Sequence, residues 1–135
     1  MTPPADGVGM DAFVYGTLCD PVRAREVLGH ADYGPPATLV ELQRVEARYP
    51  TLAPGGETDG RVLELRDGDL AALDRYEGVE RGLYVRVRVP SDDGGVWTYV
   101  GDPDALGVDV EWPGDGPLQR RVERFVEDND VRLEL

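Results

Sequence analysis

The residues best suited to chemistry sit in two short stretches. The first is Leu73-Asp74-Arg75-Tyr76-Glu77-Gly78. Leu70, Leu73 and Tyr76 recur at helical spacing around Ala71 and Ala72, and Asp67 or Asp69 is placed to cap the start. Gly78 should close this helix, because glycine takes the left-handed closing conformation at little cost. Glu77 therefore falls on the last turn. The partial negative charge of a helix C-terminus disfavours a carboxylate there, so its pKa should rise, and more so if it is partly buried. A carboxyl titrating near neutrality suits a general acid and base. By position alone, Glu77 reads as a mildly unfavourable surface residue.

The second stretch is Tyr15-Gly16-Thr17-Leu18, which leaves the apolar strand Ala12-Phe13-Val14-Tyr15 and precedes a helix. Its backbone N–H groups could cradle an oxyanion or a carboxylate, and Gly16 would let a ligand approach the main chain. Strand–glycine–helix joins are common, so this too is weak alone. Cys19 and His30 are the single cysteine and histidine. They fall at opposite ends of one predicted helix, a poor arrangement for a thiol and its base. Cys19 is expected to be a small semi-buried residue, and His30 an exposed or loosely packed one. Asp74 and Glu77 share a helix face, but in so acidic a chain such pairs arise by composition. A two-carboxylate glycosidase or a metal site is weakly supported, and Asp74 is expected to be dispensable. No phosphate-loop or dinucleotide glycine fingerprint occurs.

The elements that must position these stretches follow from periodicity. Residues 1–9 are rich in proline and glycine and are expected to be a disordered lead-in, with one domain over 10–135. Asp20 and Pro21 open a helix that closes at Gly29. Gly34-Pro35-Pro36 reads as a loop, 38–42 as a strand, 47–54 as an extended path broken by prolines, Gly55-Gly56 as a turn, and 61–65 as a strand. From Leu83 the period becomes two, through Val85, Val87 and Val89. Residues 91–95 form a hairpin turn before the strand Val96–Val100, 103–113 is irregular, Pro117 opens a last helix, and 131–135 alternates like an edge strand. Strands, a few helices and no regular βαβ alternation point to an α+β fold. A small mixed β-barrel or strongly curved sheet with flanking helices is expected.

Charge bounds the partners. Asp and Glu total 27 against 14 basic residues, all of them Arg, for a net charge of −13. Such a balance repels nucleic acid and anionic membranes, so neither is an expected partner. The acid is scattered and Lys is missing, which reads as adaptation to high salt, where screening acts within about 3 Å at 1 M. No apolar run approaches membrane-spanning length, and one cysteine fits a reducing compartment, so the expected location is the cytoplasm.

Taken together, these segments resemble the γ-glutamylcyclotransferase-like (AIG2-like) family. Phe13-Val14-Tyr15-Gly16-Thr17-Leu18 is similar to its signature strand and loop. Leu73-Asp74-Arg75-Tyr76-Glu77-Gly78, with Tyr84 and Arg86, resembles its catalytic segment, and Trp97-Thr98-Tyr99-Val100 its returning strand. The resemblance implies a small barrel with a pocket at its mouth, Glu77 as catalytic acid/base, and Tyr15, Gly16, Thr17 and Leu18 as the substrate-binding loop. Tyr84 and Tyr99 would be pocket or core residues. It implies cyclisation of a γ-glutamyl group to 5-oxoproline with release of an amine or amino acid, without metal or organic cofactor. The loop departs from the Tyr-Gly-Ser-Asn of the glutathione branch and looks closer to the short microbial and plant members and the γ-glutamylamine branch. The alternatives are a non-catalytic small-molecule-binding or regulatory protein on the same fold, and a Cys19 thiol enzyme.

Overall fold

The structure, a computed structural model, describes residues 11–47, 49–91 and 94–135. The expected lead-in over 1–9 lies outside the described residues, as does part of the 91–95 turn. Six strands form one mixed sheet: β1 (Ala12–Val14), β2 (Tyr33–Val45), β3 (Thr51–Leu63), β4 (Tyr84–Val89), β5 (Val96–Gly101) and β6 (Arg132–Glu134). Their order across the sheet is β4-β5-β1-β3-β2-β6. Strand β1 is central, antiparallel to β3 through Phe13↔Val62 and parallel to β5 through Ala12↔Trp97. The sheet curls until the N–H of Leu133, on one edge strand, donates to the carbonyl of Pro90, just past the other. The result is a six-strand half-barrel with helices outside, as expected for α+β.

Alternation along the strands separates two apolar clusters. Phe13, Tyr15, Val87, Val89, Val96 and Val100 belong to one, closed by Val122 and Val126 from α4 (Leu118–Asp128). Ala12, Val14, Tyr84 and Tyr99 belong to the other, with Leu73 and Ala24 from the helices α2 (Asp69–Glu77) and α1 (Pro21–Leu28). The helix ends agree with the sequence at three points. Asp20 caps α1 by accepting from the Val22 N–H, and Gly29 and Gly78 close α1 and α2 in the left-handed conformation.

Four expectations need correction. Gly34-Pro35-Pro36 is not a loop; it lies within the thirteen-residue β2. Gly55-Gly56 is not a turn between strands but a kink within β3, opposite a register shift at Glu41, which itself takes φ 75°. Neither Asp67 nor Asp69 caps α2, whose cap is Gly68 with no side-chain bond. Asp69 is instead buried, its Oδ2 accepting from the Arg66 N–H and lying 2.7 Å from His30 Nε2. His30 is accordingly not loose: its side chain is 11 % exposed between α1 and α2. Its Nδ1 is 2.9 Å from Asp32 Oδ2, close enough for an ion pair but out of line for a hydrogen bond. Both misreadings of the strands have one cause, since proline and glycine can occupy long strands at edges and bulges. The stretch 103–113 is irregular apart from the four-residue α3 (Pro103–Leu106).

Candidate active site

A cleft of about 340 Å³ opens where β1 runs out, between the loop that follows it and the C-terminal end of α2. Tyr15, Gly16, Thr17, Leu18 and Glu77 all line it, so the structure brings together the residues that the family resemblance assigns to the site. Arg23, Tyr49, Pro50, Tyr76, Arg81, Leu83, Tyr84 and Tyr99 complete the wall and mouth, over a floor of Phe13 and Val14.

Glu77 is the only carboxylate among these lining residues. Its side chain has no hydrogen bond or ion pair among the described residues. Burial beneath the surrounding wall pushes its carboxyl up from 4.5 to about 7. The cause is loss of water on burial, the second of the two causes expected from the sequence. Its negative charge in turn helps to hold Tyr15 and Tyr84 un-ionised, although burial is the larger cause for both phenols.

The backbone of the loop is anchored through its carbonyls. Arg44 Nη1 donates to Tyr15 O at 2.7 Å, Cys19 N–H to Gly16 O at 3.0 Å and Asp20 N–H to Thr17 O at 3.1 Å. Tyr33 OH donates to Leu18 O at 2.5 Å, and Arg61 Nη1 reaches Cys19 O at 3.5 Å. The N–H groups of Gly16, Thr17 and Leu18 have no acceptor among the described residues. These donors, left over at the start of a 3-10 turn, are the polar capacity the loop retains. Gly16 needs no unusual φ. A Cβ there would sit 3.1 Å from Pro50 Cγ, so it is the close packing on Pro50 that a side chain would disturb.

A hydrogen-bonded frame fixes the tyrosines. Tyr15 OH donates to Tyr99 O at 2.5 Å, Tyr84 OH to Pro50 O at 2.7 Å, and Tyr99 OH to Asp74 Oδ1 at 2.6 Å. Asp74 also takes Arg86 Nη1 at 3.0 Å. The expectation that Asp74 is dispensable therefore meets a structural reason against it, since Asp74 holds the hydroxyl of a cleft residue. At the mouth, Tyr76 OH shares a 2.7 Å hydrogen bond with Thr17 Oγ1 and accepts from Arg23 Nη1 at 3.1 Å, tying the loop to α2. Sequence reasoning missed Tyr49, Tyr76, Arg23, Arg81 and the supporting role of Arg44. Only Tyr76, adjacent to Glu77, carried a signal that could have found it.

Cys19 is half-buried, and its Sγ donates to Val14 O at 3.3 Å. Burial pushes the thiol up, the reverse of an activated nucleophile. His30 is occupied by its two aspartates elsewhere. Among the described residues no group of His, Cys, Asp and Glu side chains is arranged to hold a metal ion.

Fold and site together define a small half-barrel protein whose cleft is lined by one buried carboxyl and by the Tyr15–Leu18 loop. The chain belongs to the family described as Gamma-glutamyl cyclotransferase, AIG2-like, whose model matches residues 12–115. Membership places it coarsely with γ-glutamylcyclotransferase-like enzymes. Among solved structures it is similar to one titled Gamma-glutamyl cyclotransferase, at 18 % identity and a TM-score of 0.58, covering 89 % of this chain and 99 % of that one. At that identity the likeness shows the fold. Two Arabidopsis thaliana proteins, At3g28950.1 and At5g39720.1, are 28 % and 29 % identical, each with a TM-score of 0.56 and 87 % of this chain covered, over 78 % and 86 % of theirs. No curated protein matches the chain significantly. No helix among the described residues is long and apolar enough to cross a membrane.

Proposed function

We propose that the protein cyclises a γ-glutamyl group, releasing 5-oxoproline and a free amine or amino acid. The observation that carries this reading is Glu77: a carboxyl raised to about 7, without a partner among the described residues, in the wall of the cleft. A group with that pKa is both available as a base and useful as an acid at neutral pH.

The nucleophile belongs to the substrate, so no activated Ser, Cys or Lys is needed. Ionised Glu77 takes a proton from the α-ammonium, and the freed amine attacks the γ-carbonyl of the same molecule. As the tetrahedral intermediate collapses, the protonated carboxyl gives its proton to the departing nitrogen and the C–N bond to the leaving amine breaks. The ring nitrogen gives up its second proton through the same carboxylate to the departing amine, which leaves as its ammonium while the ring amide becomes neutral. No water is consumed. The amides of Gly16, Thr17 and Leu18 are the donors available for the developing oxyanion or the substrate carboxylate. Acid–base help of this kind contributes on the order of 10² to 10⁴ in rate, and the walls of Tyr15, Tyr84 and Tyr99 hold the folded-back chain in the geometry for five-membered ring closure.

The test is a screen of γ-glutamyl dipeptides and γ-glutamyl amines for 5-oxoproline, run in molar and in low salt. Release from at least one of them is expected. Binding of these compounds without product would instead favour a binding or regulatory protein on this fold.

A further inference from the structure

The cleft differs from the rest of the molecule in charge. The chain carries −13 overall, yet the charged residues lining the cleft are two arginines, Arg23 and Arg81, against Glu77 alone. A surface so acidic repels an anionic ligand, so a cationic mouth matters to any substrate bearing carboxylates.

The two arginines are not equivalent. Arg23 is committed, with Nη1 on Tyr76 OH at 3.1 Å and Nε paired with Glu26 at 3.2 Å. The side chain of Arg81, on the 3-10 turn that follows α2, has no hydrogen bond or ion pair among the described residues. Nor does it trail away from the cleft. Its Nη2 lies 3.1 Å from the point a Cβ would occupy on Gly78, so the guanidinium is folded back over the end of the helix. A planar fork of donors without an acceptor matches a carboxylate in shape and charge.

In a γ-glutamyl compound one carboxylate sits on the same carbon as the attacking amine, and any second one lies beyond the scissile amide, on the half that departs. Arg81 is exposed at the mouth, through which the departing half must leave. We propose that Arg81 is a carboxylate subsite for the departing half, and that it selects γ-glutamyl amino acids or peptides over γ-glutamyl amines that lack a carboxylate. This inference rests on the cyclisation reading above.

The test compares γ-glutamylglycine with γ-glutamylmethylamine, which differ by one carboxylate, on the parent chain and on Arg81→Gln. Calorimetric binding and 5-oxoproline release are measured for each, with a melting curve to verify that the variant is folded. The parent is expected to prefer the glycine compound by tenfold or more in kcat/KM and in affinity, and Arg81→Gln to lose most of that preference. Equal preference in parent and variant, or none in the parent, overturns the subsite and leaves cyclisation standing. A binding preference that depends on Arg81, with no product, upholds the subsite and overturns cyclisation. No binding of either compound overturns both.

Discussion

Replacing Glu77 by Gln should stabilise the fold, and by an amount that depends on pH. Burial raises the carboxyl from 4.5 to about 7. The folded state therefore holds the proton more tightly than the unfolded chain. The stability this confers is fully present below about 4.5 and is lost as pH rises through about 7, where a poorly hydrated carboxylate must be kept ionised. The gap corresponds to roughly 3 kcal/mol between the protonation states. That figure is a ceiling, because water entering the open cleft relaxes part of the cost. Gln does not titrate and gives up no partner, since Glu77 has none among the described residues. At pH 8 the variant should therefore gain about 1–3 kcal/mol, or about 3–10 °C in melting temperature for a chain of this size. At pH 4.5 the two should melt together. Paired melting curves across pH 4.5–8 make the comparison, because the other carboxylates titrate alike in both chains. A difference that does not change with pH, or a variant that melts lower at pH 8, would refute the buried-carboxyl argument.

Asp74→Ala should cost about 1–3 kcal/mol and slow turnover, because it leaves Tyr99 OH and Arg86 without their acceptor; Asp74→Asn, which can still accept from Tyr99, should lie between it and the parent in melting temperature and kcat. Cys19→Ala should keep most activity and lose only a weak thiol hydrogen bond, and abolished turnover in a folded variant would move the nucleophile onto the protein. With a net charge of −13, the melting temperature should climb as KCl rises from 0.1 M to 1 M and the screening length shrinks from about 10 Å to about 3 Å; a flat profile removes the high-salt reading.

The parts of the fold legible in the sequence were those with local causes. The cap at Asp20, the left-handed closures at Gly29 and Gly78, the alternation from Tyr84 to Val89 and the apolar face of α4 each depend on a few neighbouring residues. The long strands β2 and β3 were misread because their prolines and glycines signal breaks locally but are carried by pairing and a bulge over thirteen residues each. The candidate site divides in the same way. Glu77 and the Tyr15–Leu18 loop stood out through helix-end and strand–loop patterns that were weak alone, and the family resemblance joined them into a site. The frame around them joins residues far apart in the chain, such as Tyr15 with Tyr99, Tyr84 with Pro50 and Arg44 with the loop. His30 was misjudged for that reason too, because Asp69 reaches it only when α1 and α2 pack together.

The central claim is that Glu77 carries the proton between two nitrogens of a γ-glutamyl substrate. The measurement that tests it most directly is 5-oxoproline release by the parent and by Glu77→Gln on one γ-glutamyl substrate, with binding of that substrate measured alongside. The expected result is retained binding in a folded variant and a loss of kcat of about a hundredfold or more. Turnover by Glu77→Gln at the parent's rate would contradict it.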